Sequence, residues 1–91
     1  MSHSIIFTDS YEKRAKKFFK HHPDLINIYH KILLLLKTNP FHPSLRLHQL
    51  QGKLKSLYSI SLTLQYRITL EFLIKNNEII LVDIGAHDQV Y

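Results

Sequence analysis

The hydrophobic period of this chain changes partway along, near Gly52, from a helical repeat to an alternation of two. A segment patterned for a helix cannot settle as a strand, because the two conformations turn different sets of side chains to one side. The change therefore divides the chain into a helical half followed by a sheet half. In the first half Tyr11, Ala15, Phe18 and Phe19 form one helical stripe, while Lys13, Arg14, Lys16, Lys17 and Lys20 cover the remainder. A second stripe, Leu25, Ile28, Ile32, Leu35 and Leu36, follows His21-His22-Pro23 and stops at Asn39-Pro40. In the second half Tyr58, Ile60, Leu62 and Leu64 alternate with Ser59, Ser61 and Thr63. The pattern resumes with Tyr66, Ile68, Leu70, Phe72 and Ile74 set against Arg67, Thr69 and Glu71.

The flanks complete the order. Ser4 to Thr8 reads as a short strand, and Asp9 with Glu12 is a capping-box pair opening the first helix. Pro23-Asp24 suits the start of the second helix. Asn76-Asn77 is a hairpin turn, and Glu78 to Gly85 is apolar enough to be a central strand. No Gly, Pro or Asn marks a turn between Leu62 and Tyr66. A tight turn is nevertheless expected at Leu64-Gln65, because one unbroken strand would exceed the usual limit of about ten residues. The predicted order is β-α-α-β-β-β: an α+β fold with a two-helix hairpin packed on one face of a mainly antiparallel four-stranded sheet. At 91 residues this is a single domain, 1–91. The opposite sheet face, with Ser59, Ser61, Thr63, Arg67 and Thr69, is expected to be wet and is the natural place for a site.

Charge narrows the partners. Twelve Lys and Arg against seven Asp and Glu leave +5, and from Leu25 to Leu70 there is no acid at all. That stretch carries Lys31, Lys37, Arg46, Lys53, Lys55 and Arg67, with His30, His42 and His48 among them. Its surface suits a polyanion or an acidic protein. No cysteine is present, which removes thiol catalysis and thiolate metal sites. The longest apolar run, Ile32 to Leu36, is far short of the roughly 20 residues of a membrane span. Met1 to Thr8 has no basic stretch followed by an apolar run, so no signal peptide is read and a cytoplasmic location without membrane partners is expected.

Several chemistries fall away. The seven acids are scattered, so no carboxylate cluster for two-metal phosphodiester cleavage is visible. Two glycines, Gly52 and Gly85, cannot make a glycine-rich phosphate loop. Adjacent His21 and His22 do not share a helix face, so no metal site and no cofactor are expected. Imidazole, ammonium, guanidinium and phenol groups remain, and RNA needs no more than these. Its 2′-hydroxyl is an internal nucleophile, so the protein must take that proton, steady the phosphate charge and protonate the leaving 5′-oxygen. Arginine is the best forked donor to phosphate, and histidine moves protons near neutral pH.

Each candidate has a plainer reading beside it. Arg67 interrupts apolar neighbours and points to the polar face; it binds phosphate or pairs with Glu71. His87 follows Gly85-Ala86 just after the last strand, as catalyst or as a solvated loop residue. His48 precedes the first strand of the sheet half, as catalyst or as a cap. Lys53 and Lys55 flank Leu54 on the way into that strand, as RNA contacts or as a solvated pair. Arg46 and Ser61 belong to the same basic stretch and polar face, as RNA contacts. Tyr91 is a ring that stacks on a base or a frayed end.

Three segments carry a family resemblance: Leu47-His48-Gln49-Leu50-Gln51-Gly52-Lys53-Leu54-Lys55-Ser56-Leu57-Tyr58-Ser59-Ile60, Gln65-Tyr66-Arg67-Ile68, and Ile84-Gly85-Ala86-His87-Asp88-Gln89-Val90-Tyr91. Together they resemble the RelE/ParE toxin superfamily, with spacing close to RelE and YafQ, over nearly the whole chain. The resemblance implies a toxin held inactive by a cognate acidic antitoxin, cutting mRNA in the ribosomal A site and reaching operator DNA through that antitoxin. It matches Arg67 to the phosphate-stabilising arginine, Lys53 and Lys55 to the RelE lysine pair, and His48 to a YafQ histidine. His87 stands where RelE has arginine and YafQ histidine, and Tyr91 matches their terminal aromatic. Ser61 and Gln65 stand where YafQ has histidine and aspartate, and Tyr66 replaces its tryptophan. The general base is thus His48 or one of the lysines. A second implied activity is that of ParE, which inhibits gyrase by binding.

Overall fold

The structure is a computed structural model, and it describes residues 3–52, 56–73 and 76–86. Strand β1 (Ser4–Phe7) leads into helix α1 (Asp9–His21), a 3₁₀ turn at Pro23–Leu25 and helix α2 (Ile26–Thr38). A second 3₁₀ turn at Pro43–Leu45 precedes β2 (His48–Gln49), β3 (Tyr58–Ser61), β4 (Tyr66–Leu73) and β5 (Glu78–Ala86). The strands form one sheet in the order β1-β5-β4-β3-β2. Only β1 runs parallel to its neighbour, β5; the other pairings are antiparallel.

The α+β class, the helix pair and the central position of the last strand are as expected. The sheet has five strands rather than four, because His48 and Gln49 pair with Ser59 and Tyr58 at its edge. Two residues carry no readable alternation, which is why the sequence reads them as irregular. Helix α1 starts one residue early: Thr8 is the cap, its Oγ1 accepting from Tyr11 N at 3.2 Å. The ladder with β5 ends at Phe7–Leu81, so the chain turns at Thr8, and Asp9 and Glu12 lie within the first turn where the helix dipole favours them. The Thr8 hydroxyl also donates to Leu81 O at 3.2 Å, tying the helix start to the sheet.

The core lies between the helices and one sheet face. Tyr11, Leu36, Leu45, Ile60, Ile68, Leu70, Ile79 and Leu81 are fully buried there. Helix α2 turns Tyr29 inward, and Ile28, expected inside, is exposed. The Tyr11 and Tyr29 hydroxyls meet at 2.9 Å, and Phe19 packs on Tyr29 with ring centres 4.5 Å apart. These large side chains join the two helices.

Two irregularities shape the sheet. Thr69 is in register with Asp83 and Leu70 with Leu81, so Val82 is an extra residue bulged out of β5. The bulge lets Leu81 and Ile84, three apart, both face the core. The turn between β3 and β4 lacks Gly, Pro and Asn because Thr63 supplies its chemistry. The Thr63 hydroxyl accepts from Gln65 N at 3.1 Å and from Tyr66 N at 3.2 Å. Leu64, counted as a strand position by its alternation, lies in this turn and is exposed.

Candidate functional site

Register places the polar residues. Paired residues of an antiparallel ladder share a face, as do alternate residues of one strand. Ser61 opposes Arg67, and Arg67 opposes Gly85; one step along, His48 opposes Ser59, and Ser59 opposes Thr69. Two adjacent rows on the face away from the helices therefore hold His48, Ser59 and Thr69, then Ser61 and Arg67. Ideal sheet spacing puts the Cα atoms of His48 and Arg67 roughly 12 Å apart, within joint reach of one phosphodiester group.

The centre of this face is not wet, as its alternation suggests, but closed. Ser59 is fully buried and Thr69 is 2% exposed. Both are short side chains on interior strands, flanked by the longer His48 and Arg67. Ser59 Oγ, Thr69 Oγ1 and Arg67 Nε are all buried without a hydrogen-bond partner. A buried donor left unmet costs about 1–3 kcal/mol, so three on one patch form a costly cluster.

Arg67 is not paired with Glu71. The one ion pair among the described residues is Arg14 with Asp83 at 3.2 Å. Arg67 and Glu71 are four residue steps apart on one strand, roughly 13 Å between Cα atoms.

His48 is exposed on β2, and its Nδ1 lies 3.0 Å from Arg46 O. A carbonyl only accepts, so Nδ1 carries the proton and Nε2 of the neutral ring carries the lone pair. Arg46 is exposed and left-handed at φ 51°, a conformation costing about 1 kcal/mol or more for a residue with a Cβ. That turn brings its carbonyl back toward the His48 ring. His42 Nδ1 accepts from Ser44 N at 3.1 Å and caps a 3₁₀ turn, a structural role. Lys53, Lys55, His87 and Tyr91 lie outside the described residues. The structure thus groups Arg67, Ser61 and His48 on one face, with Arg46 adjoining through its carbonyl.

Sequence reasoning missed Ser59 and Thr69 as site residues, because alternation reports facing and not burial. It also drew no site from the end of the first helix. In the structure Arg14, Lys17, Phe18, His21 and His22 of the α1 end line a cleft of about 290 Å³ with Asp83, Ile84 and Gly85 of β5. No group of three His, Cys, Asp or Glu side chains that could hold a metal ion is gathered among the described residues. No described helix is long and apolar enough to cross a membrane.

Two helices packed on a mixed five-stranded sheet are broadly the fold of the RelE/YafQ-like toxins of toxin–antitoxin systems. A metal-bound toxin from Helicobacter pylori is similar at 25% identity, covering 100% of both chains with a TM-score of 0.80. YafQ in the E. coli DinJ–YafQ toxin–antitoxin complex is similar at 20% identity, covering 100% of this chain and 99% of that one, TM-score 0.79. A YoeB/ParE toxin from Agrobacterium tumefaciens is 14% identical, covering 92% of this chain and 98% of its own, TM-score 0.73. No family model and no curated protein matches the chain by sequence.

Proposed function

We propose that this chain is the toxin of a type II toxin–antitoxin system, a ribosome-dependent endoribonuclease that cuts mRNA without a metal. The observation that carries this reading is that Arg67, Ser61 and His48 share the polar face of a toxin fold. A guanidinium offers charge and forked donors to a phosphodiester, and an imidazole on the same face moves protons near neutral pH.

In this mechanism His48, or Lys53 or Lys55, takes the proton of the 2′-hydroxyl. The 2′-oxygen attacks phosphorus, and Arg67 holds the added negative charge. The bond to the 5′-oxygen breaks as that oxygen receives a proton from His87, leaving a 2′,3′-cyclic phosphate and a 5′-hydroxyl. Tyr91 stacks on a neighbouring base, and Arg46 and Ser61 contact the RNA backbone. The partners are the ribosome, mRNA and an acidic antitoxin, which reaches operator DNA; the setting is the cytoplasm.

Primer extension on mRNA after brief induction tests this. New cuts inside codons, appearing only during translation, are expected. Intact messages beside trapped gyrase–DNA complexes would replace the reading with ParE-like inhibition.

A further inference from the structure

The cleft at the end of α1 lies outside the polar face and no step of the proposed reaction uses it. Its position follows from the short β1. That strand pairs with Glu78 to Leu81 only, so the upper half of β5 has no strand on its outer side, and α1 packs there instead.

Two kinds of group meet in it. Phe18 and His22 lie face to face at 4.6 Å with a 30° tilt, and both rings contact Tyr66 of β4, at 5.1 and 4.8 Å. Beside them stand cations. Arg14 is held by Asp83, but Lys17 has no ion pair among the described residues. Flat half-buried rings next to an unneutralised ammonium are the chemistry that grips one nucleotide, base on rings and phosphate on charge. About 290 Å³ has room for one base and not for a duplex.

The cleft is also continuous with the proposed cleavage face. Gly85 lines it and is the register partner of Arg67. One strand, about 4.8 Å wide, separates the two, and at that row it presents no side chain.

We infer that the cleft formed by Lys17, Phe18, His21 and His22 beside Gly85 binds the nucleotide of single-stranded RNA that neighbours the phosphodiester held at Arg67. This rests on the ribonuclease reading for the identity of the strand. The base lies along the exposed side of the Phe18–His22 pair, and its phosphate faces Lys17 and His21.

The test is titration of the isotope-labelled chain with an RNA hexamer 2′-O-methylated throughout, which offers no nucleophile and is not cut. Amide shifts are expected at Lys17, His21, His22 and Gly85 together with Arg67 and Ser61. Lys17→Gln should lower the slope of log affinity against log salt by about 0.7, one phosphate contact on single strands. His22→Ala should weaken binding at least about fivefold, and a hexamer of abasic sugars should be insensitive to it. Asp83→Asn keeps the acceptor for Ile84 N and releases Arg14, so affinity should rise roughly two- to fivefold.

Shifts confined to Arg67, Ser61 and Ser59, with mRNA cleavage in cells intact, would overturn the cleft and leave the ribonuclease reading. Cleft shifts without any mRNA cleavage would overturn the ribonuclease reading and leave the RNA site. A hexaglutamate peptide that moves the same amides more strongly than RNA would make the cleft a protein-docking surface and overturn the inference.

Discussion

Ser59 and Thr69 face each other across β3 and β4, both buried, and neither hydroxyl has a hydrogen-bond partner. Arg67 Nε, one row away, is in the same condition. Folding leaves three polar atoms unmet beneath one patch, each at a cost of about 1–3 kcal/mol.

Replacing Arg67 by alanine is expected to lower single-turnover cleavage on programmed ribosomes by roughly 100- to 1000-fold, while ribosome affinity changes little. Lysine should restore only part of the rate, since it offers charge without the fork. An alanine variant that folds, binds and cuts within about threefold of wild type would make Arg67 structural.

Thr69→Val removes an unmet hydroxyl at nearly constant shape. The variant is expected to be about 1 kcal/mol more stable in urea denaturation. A loss of stability would mean that the hydroxyl is satisfied in solution.

Tyr11→Phe is expected to cost about 1–2 kcal/mol, because it strips the Tyr29 hydroxyl of its partner at 2.9 Å. Tyr11→Phe with Tyr29→Phe should cost less than the two single changes added, which a double-mutant cycle measures.

The same pair sets an alkaline limit. Burial raises both phenols above their ordinary value of 10.0. The folded state therefore holds these protons more tightly than the unfolded one. Their contribution is complete below pH 10 and declines as pH rises above it. Denaturation followed between pH 8 and pH 11.5 should show this decline in wild type and a shallower one in the doubly substituted Phe variant.

Cleavage is expected to persist in EDTA at concentrations that leave ribosomes intact, because 2′-hydroxyl attack assisted by imidazole and ammonium groups needs no bound ion. A reaction that stops on mild chelation and restarts only with a transition metal would show that an ion takes part.

Much was legible in the residues alone. Periodicity is local, so the stripe Tyr11, Ala15, Phe18 and the alternation through Ile60 and Ile68 determine two helices, a sheet and which side of each is apolar. The acid-free stretch and Arg67 among apolar neighbours mark a basic polar face in the same way. Tertiary structure decided what depends on contacts far apart in the chain. It made Thr8 the cap where the ladder ends, let Thr63 stand in for a turn glycine, and added His48–Gln49 as an edge strand. It closed Ser59 and Thr69 from water, because burial is set by neighbours on other strands and not by a residue's own alternation. It also put the end of α1 beside Gly85, since β1 is too short to cover β5, and no local pattern encodes which element fills an edge left open by another.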